Sequence, residues 1–192
     1  LRIMESFGLD RPHVIAPDIA PPTCLFAAAN HPGIFKSLVI GSGATDHTDI
    51  LDILDQIVNA PSLEPFKDLT GEQFVRGTVE GMKKYKFPEN VLQDYIDSYT
   101  GQKLWDAMEF IRDYPHALPR LAKRLPEITV PCQLIVGRYD PFVPVSNAEG
   151  LHRVLPKSRL NIIDCGHFVW EEAAEEYGML ARHFIQGGYS EL

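Results

Sequence analysis

Two polar loops in the second half of the sequence carry residue types able to move a proton. The first is Gly137-Arg138-Tyr139-Asp140-Pro141-Phe142-Val143-Pro144 and the second is Asp164-Cys165-Gly166-His167-Phe168. Each follows a short run that reads as a strand, Cys132 to Val136 and Arg159 to Ile163. In open parallel sheets, ligands bind in the crevice beyond the carboxyl ends of the strands, so Asp140 and His167 are expected to face one volume. A carboxylate that accepts the Nδ1–H of an imidazole fixes its tautomer and leaves Nε2 to take a proton from a nucleophile or a water. Taken singly, Asp140 reads first as the opening of a proline turn and His167 as a packed loop residue. Placed on successive strand ends, 27 residues apart (167 − 140), they read as a pair.

The elements that must position this pair follow an α/β rhythm. His13-Val14-Ile15-Ala16 and Ser37-Leu38-Val39-Ile40 are short and apolar, as strands buried on both faces are. Between them Pro21 and Pro22 suit the first turn of a helix that continues through Thr23 to Asn30 and stops at His31-Pro32-Gly33. Residues 13–40 therefore read strand, helix, strand, a parallel βαβ unit. A short helix over Leu1 to Phe7, closed by Gly8, precedes it. Beyond Gly41-Ser42-Gly43 the pattern turns helical, at Ile50 to Val58, Phe74 to Lys84, Val91 to Tyr99 and Trp105 to Tyr114. The rhythm resumes with the strand from Cys132, a helix over Asn147 to Val154, the strand from Arg159 and an amphipathic helix over Glu171 to Phe184. The expected fold class is α/β: a mostly parallel sheet flanked by helices, in two core parts (1–43 and 127–192) around an all-helical insertion (44–126).

Composition narrows the function classes. The 192 residues include 18 Lys and Arg against 26 Asp and Glu, a formal charge of −8, without a basic cluster of the kind that collects nucleic-acid phosphates. No apolar run approaches the roughly 20 residues of a membrane-spanning helix. Cys24, Cys132 and Cys165 are odd in number and lack metal-ligand or CxxC spacing, which suits buried thiols in a reducing, cytoplasmic setting. With neither a G-x-G-x-x-G motif nor a metal-ligand cluster, the expected chemistry needs no cofactor and no metal.

This arrangement resembles the α/β-hydrolase family, in particular its members with an inserted helical cap, and the resemblance runs through nearly the whole chain. In that family a strand-to-helix elbow holds the nucleophile, an acid follows a later strand, and a His follows the last strand. Asp140 and His167 match the last two. Val14-Ile15-Ala16-Pro17-Asp18-Ile19-Ala20 matches the elbow, with Asp18 in the nucleophile position and Ala16 and Ala20 where the motif normally has Gly. The resemblance thus implies a catalytic set of Asp18, Asp140 and His167, with the backbone N–H of Ile19 as an oxyanion donor. Against this, Asp18 also reads as the N-cap of the helix that begins near Pro21. Ser42 ends a strand near the same crevice but lies one strand beyond the family's elbow.

An Asp at the elbow is similar to the nucleophiles of epoxide hydrolases and of haloalkane or haloacetate dehalogenases. A carboxylate is ionised at neutral pH and attacks an electrophilic carbon by displacement, giving an alkyl ester that water, activated by His167, then hydrolyses. The dehalogenases commonly carry Trp directly after the nucleophile, where this sequence has Ile19. From the cap, Tyr95, Tyr99, Trp105 and Tyr114 are candidate substrate-binding residues, with core packing as the alternative for each; Arg112 reads as a paired surface residue.

The family's sheet has further strands, and its second oxyanion donor, before the elbow, whereas this chain starts one helix ahead of it. The resemblance therefore implies a sheet completed by a preceding segment, by a second chain or by a homodimer. The expected partner is a small molecule, with neither nucleic acid nor a membrane. Three functions follow: an Asp-nucleophile hydrolase for a small, largely apolar substrate such as an epoxide or alkyl halide; an ester, lactone or carbon–carbon bond hydrolase; or a non-catalytic ligand-binding or interaction module derived from a hydrolase.

Overall fold

The computed structural model describes residues 1–80, 82 and 85–192. In chain order the elements are α1 (Arg2–Ser6), β1 (His13–Pro17), α2 (Ala20–Asn30) and β2 (Ser37–Gly41). The helices α3 (Asp52–Val58), α4 (Gly71–Val79), α5 (Glu89–Ser98), α6 (Gln102–Arg112) and α7 (Tyr114–Ala122) follow. The chain closes with β3 (Cys132–Gly137), α8 (Val145–Val154), β4 (Ser158–Ile163), α9 (Val169–Glu172) and α10 (Ala174–Ile185). The strands form one parallel sheet in the order β1-β2-β3-β4. Because neighbouring strands run parallel, all four carboxyl ends open on the same edge, and the residues after them meet there.

Strand alternation divides the core. Leu38, Ile40, Cys132 and Leu134 point to one face, where they join α2 and the inserted helices through Leu25, Ile57, Met108 and Leu121 in a single apolar cluster. Val39, Ile135 and Ile163 point to the other face and pack under α9 and α10 against Val169, Ala181 and Phe184. The insertion thus shares its core with the sheet, although α4 and α5 add a cluster of their own around Val75, Phe87 and Ile96 that reaches Phe168. Asn147 of α8 anchors the start of the insertion. Its Oδ1 accepts from the Thr45 backbone N–H and Oγ1, while its Nδ2 donates to the carbonyls of Asp46 and Asp49.

Several expectations change in detail. β1 is not buried on both faces: it is an edge strand, and Ile15 is 51% exposed, because α10 covers β2 and β3 while on the same face of β1 Tyr189 packs against His13 and leaves Ile15 half open. The final helix is broken at Ala173 (φ −137°, ψ 41°) into α9 and α10. The helix expected to end at Tyr114 ends at Arg112, and a second helix starts at Tyr114, with Pro115 in its first turn, where a missing N–H costs little. α4 starts earlier than Phe74, at a capping box: Thr70 Oγ1 accepts from the Gln73 N–H, and Gln73 Oε1 accepts from the Thr70 N–H. The expected end of that helix, at Lys84, lies outside the described residues.

Candidate active site

β1 delivers Asp18 to the carboxyl edge of the sheet. Pro17 pairs with Gly41 of β2, and the Asp18 N–H donates to the Gly41 carbonyl at 3.1 Å. Asp18 then turns into the left-handed region (φ +61°) before Ile19 opens α2 in right-handed geometry. A non-glycine residue held there costs on the order of 1 kcal/mol, less for Asp than for most residues. The close turn is possible because Gly43 lies against it: a Cβ at that position would stand 2.0 Å from the Asp18 carbonyl oxygen. The capping alternative for Asp18 fails, since Ile19 is the N-cap of α2 and no side chain caps it.

Asp140 follows β3 and His167 follows β4. One carboxylate oxygen of Asp140, Oδ1, accepts from the N–H groups of Phe142 (2.8 Å) and Val143 (3.0 Å) and so fixes its own loop. The other, Oδ2, accepts from Nδ1 of His167 at 2.8 Å. Both residues are buried, 6% and 8% exposed. The two loops meet at backbone level: a Cβ on Gly137 would lie 1.8 Å from the Gly166 carbonyl oxygen. The imidazole is held edge-to-face by Phe142 and Phe168, with ring centroids 5.0 and 5.1 Å away, and by Trp170 at 6.0 Å. Its Nε2 points to Asp18, 3.4 Å from Oδ1.

The three residues expected to act together therefore form one continuous array, Asp140–His167–Asp18. Burial by itself lowers the basicity of His167, but the charge and hydrogen bond of Asp140, with a further contribution from Asp18, outweigh it and raise its pKa well above the ordinary imidazole value. His167 in the free protein accordingly favours the imidazolium form, placed between two carboxylates.

Above this array lies a cleft, open to solvent, whose walls are mostly apolar, with Leu54, Phe74, Met108 and Ile111 among the lining residues. Asp18, Ile19, Ser42 and His167 reach it from the sheet. Of the aromatic candidates, Tyr95, Tyr99 and Tyr114 line it, whereas Trp105 is not among its described lining residues and packs against the main core cluster. Burial, reinforced by the charge of Asp18, pushes Tyr99 up to about 12 and Tyr114 higher still, so both hydroxyls stay protonated. Tyr95 is engaged elsewhere: its hydroxyl accepts from Trp170 Nε1 (3.0 Å) and donates to Glu171 Oε1 (3.1 Å), tying α5 to α9. Arg112 pairs with Glu109 and donates to the carbonyls of Ala60 and Pro61, away from the cleft. The aromatic clamp on His167 was not foreseen from the sequence, although Phe142 and Phe168 stand within two residues of the acid and the His.

Among solved structures, the fold is similar to a serine hydrolase from Cycloclasticus zankles (TM-score 0.75, 18% identity, 96% of this chain and 67% of that one). It is also similar to the 2-hydroxy-6-oxo-6-phenylhexa-2,4-dienoate hydrolase of Rhodococcus sp. strain RHA1 (TM-score 0.70, 18% identity, 94% and 66%). The chain has the α/β-hydrolase fold. Sequence relatives include a 2-hydroxy-6-oxononadienedioate/2-hydroxy-6-oxononatrienedioate hydrolase of Pseudomonas putida, 25% identical over 195 residues, 96% of this chain and 66% of that protein. A 2-hydroxy-6-oxo-6-phenylhexa-2,4-dienoate hydrolase of Comamonas testosteroni is 23% identical over 205 residues, again 96% and 66%. The chain thus spans just under two thirds of the length of these curated relatives. No family model matches it. Among the described residues, no helix is long and apolar enough to cross a membrane, and no cluster of three or more His, Cys, Asp or Glu could hold a metal ion.

Proposed function

We propose that this α/β-hydrolase chain carries the catalytic array of a hydrolase in which Asp18 is the nucleophile and the substrate is a small, uncharged, largely apolar electrophile of the epoxide type. The observation that carries the reading is the placement of Asp18: a left-handed, strained residue at the end of β1, with its carboxylate 3.4 Å from His167 Nε2 and open to the apolar cleft. In the first step an Asp18 oxygen attacks a ring carbon, that carbon's bond to the ring oxygen breaks, and the oxygen leaves with the electron pair. Tyr99 and Tyr114 are protonated hydroxyls of residues lining the same cleft, and no hydrogen bond among the described residues engages either, so they are available to donate to that oxygen. Esterification removes the charge of Asp18 and with it one of the two carboxylates holding the proton on His167. The imidazole becomes the weaker base it must be to give that proton up to the ring-opened alkoxide, through solvent in the cleft, and then accept one from water, with Asp140 fixing its tautomer. The Ile19 N–H, directly after the nucleophile, suits the oxyanion that forms as water adds to the ester. An alkyl halide substrate is less well supported, since Ile19 stands where a halide-holding Trp is expected and no Trp is among the described residues lining the cleft.

The sequence relatives favour a second reading, a carbon–carbon bond or ester hydrolase in which His167 directs water onto the substrate and Asp18 only holds the imidazole. Mass spectrometry of a His167→Gln variant incubated with styrene oxide separates the two. An ester accumulating on the Asp18 peptide supports the first reading. An unmodified Asp18 in a protein whose parent form turns over esters supports the second, and ligand binding without turnover of either class indicates a binding module.

A further inference from the structure

We propose that Ser42 holds the water that hydrolyses the ester on Asp18, an assignment that rests on the reading of Asp18 as nucleophile. Ser42 directly follows β2, the strand between the one that ends in Asp18 and the one that leads to Asp140. The pairing of Pro17 with Gly41 sets Asp18 and Ser42 side by side as the next residue of each chain. His167 binds Asp140 through Nδ1 and faces Asp18 through Nε2, so its ring bridges from the β3 side to the β1 side across the end of β2, where Ser42 lies. The proposed water, which gives its proton to Nε2 and its oxygen to Asp18 Cγ, lies at this end of the sheet.

Ser42 carries two costs that packing does not require. Its backbone is left-handed (φ +48°), a conformation its glycine neighbours at 41 and 43 would adopt more easily. Its Oγ is buried, in a residue only 2% exposed, and has no hydrogen-bond partner. An unmade buried hydrogen bond is among the more expensive defects a fold can keep. Behind Ser42 there is only a small void lined largely by apolar side chains, including Ile40, Leu134, Val136 and Leu151, which offers a water few partners. The other side is the cleft, and there Ser42 is the neighbour of Asp18 and Ile19 on the floor. Oγ is closed off from solvent in the free protein, and in the proposal it takes its partner from this side by turning toward the cleft.

The step balances as follows. The water oxygen, held by Ser42 Oγ, bonds to Asp18 Cγ while its proton passes to His167 Nε2. The resulting oxyanion collapses, the bond from Cγ to the alkyl oxygen breaks, and that oxygen takes the proton from His167. Asp18 is left as a carboxylic acid bearing the oxygen of the water, and its proton passes to the now neutral Nε2 of His167, which restores the carboxylate and the imidazolium.

Single-turnover experiments on the protein with styrene oxide, quenched and read by mass spectrometry, resolve ester formation from ester breakdown. In Ser42→Ala the ester should form at the parent rate and break down slower by about tenfold or more, so that it accumulates on Asp18. Ser42→Gly should show the same slow breakdown together with a Tm raised by about 2–4 °C, because it removes both the strain and the orphan hydroxyl. A merely structural Ser42 would not give higher stability with a selectively slowed second step. Ester breakdown at the parent rate in Ser42→Ala overturns the proposal and leaves the Asp18 reading intact. An absence of any ester in the His167→Gln variant overturns the Asp18 reading itself, and is seen before the Ser42 variants are compared.

Discussion

Nε2 of His167 lies 3.4 Å from Oδ1 of Asp18, so the charge of the carboxylate raises the proton affinity of the imidazole. Replacing Asp18 by Asn keeps the shape and removes the charge. The His167 pKa should fall, because Asp18 is one of the two carboxylates that raise it. NMR titration of the His167 ring protons in the parent and in Asp18→Asn checks this without any substrate; an equal pKa in both proteins would mean that the two groups do not interact in solution.

The same interaction links stability to pH. The folded-state pKa of His167 is raised above its unfolded value, so its contribution is fully present below about pH 6.5 and is lost as pH rises through the folded value. The stability difference between the parent and His167→Gln should therefore narrow from pH 6 upward. Urea unfolding of the two proteins at a series of pH values measures it, and a difference that widens with pH contradicts the assignment.

Asp140 serves two partners with two oxygens, and its variants should separate them. Asp140→Asn can still accept from Phe142 and Val143 through its remaining oxygen but presents an N–H₂ to Nδ1, which selects the wrong tautomer. It should fold near-normally and lose roughly 10³–10⁴ in turnover. Asp140→Ala additionally leaves two N–H groups without an acceptor and should cost about 2 kcal/mol or more in stability. Equal stability of the two variants in urea would show that the loop does not depend on Oδ1.

Gly137 should not tolerate a methyl group. Its Cβ would stand 1.8 Å from the Gly166 carbonyl oxygen, which is backbone and cannot swing aside, so Gly137→Ala forces the acid and His loops apart. The expected loss is about 3 kcal/mol, with the downfield Nδ1 proton signal of His167 weakened or lost in the folded variant. A variant with parent stability and an intact signal would mean that the loops can separate without cost.

Tyr99 and Tyr114 should affect only the opening of the substrate. Each Tyr→Phe change should slow ester formation by about tenfold, with ester breakdown unchanged, in the single-turnover assay. A slowed second step instead would place these hydroxyls on the water rather than on the departing oxygen.

The sequence by itself determined the local order. Apolar β-branched runs before Asp140 and His167 fixed two strands, the twin prolines fixed the start of α2, and those placements were enough to bring the acid and the His to one edge of a parallel sheet. Whether Asp18 capped a helix or faced His167 was open, because both uses begin with the same residue before the same helix; its φ of +61° and its distance to Nε2 decided it, and both depend on β1 being held against β2. The exposure of Ile15 was equally hidden, since burial of a strand face depends on which helices the rest of the chain lays across it. So too were the choice of Tyr99 and Tyr114 over Trp105 for the cleft, the aromatic clamp on His167 and the unpartnered hydroxyl of Ser42. Periodicity states that a side chain lies on an inward face; which other side chains share that volume is a property of contacts between residues far apart in sequence, and only the tertiary structure sets them.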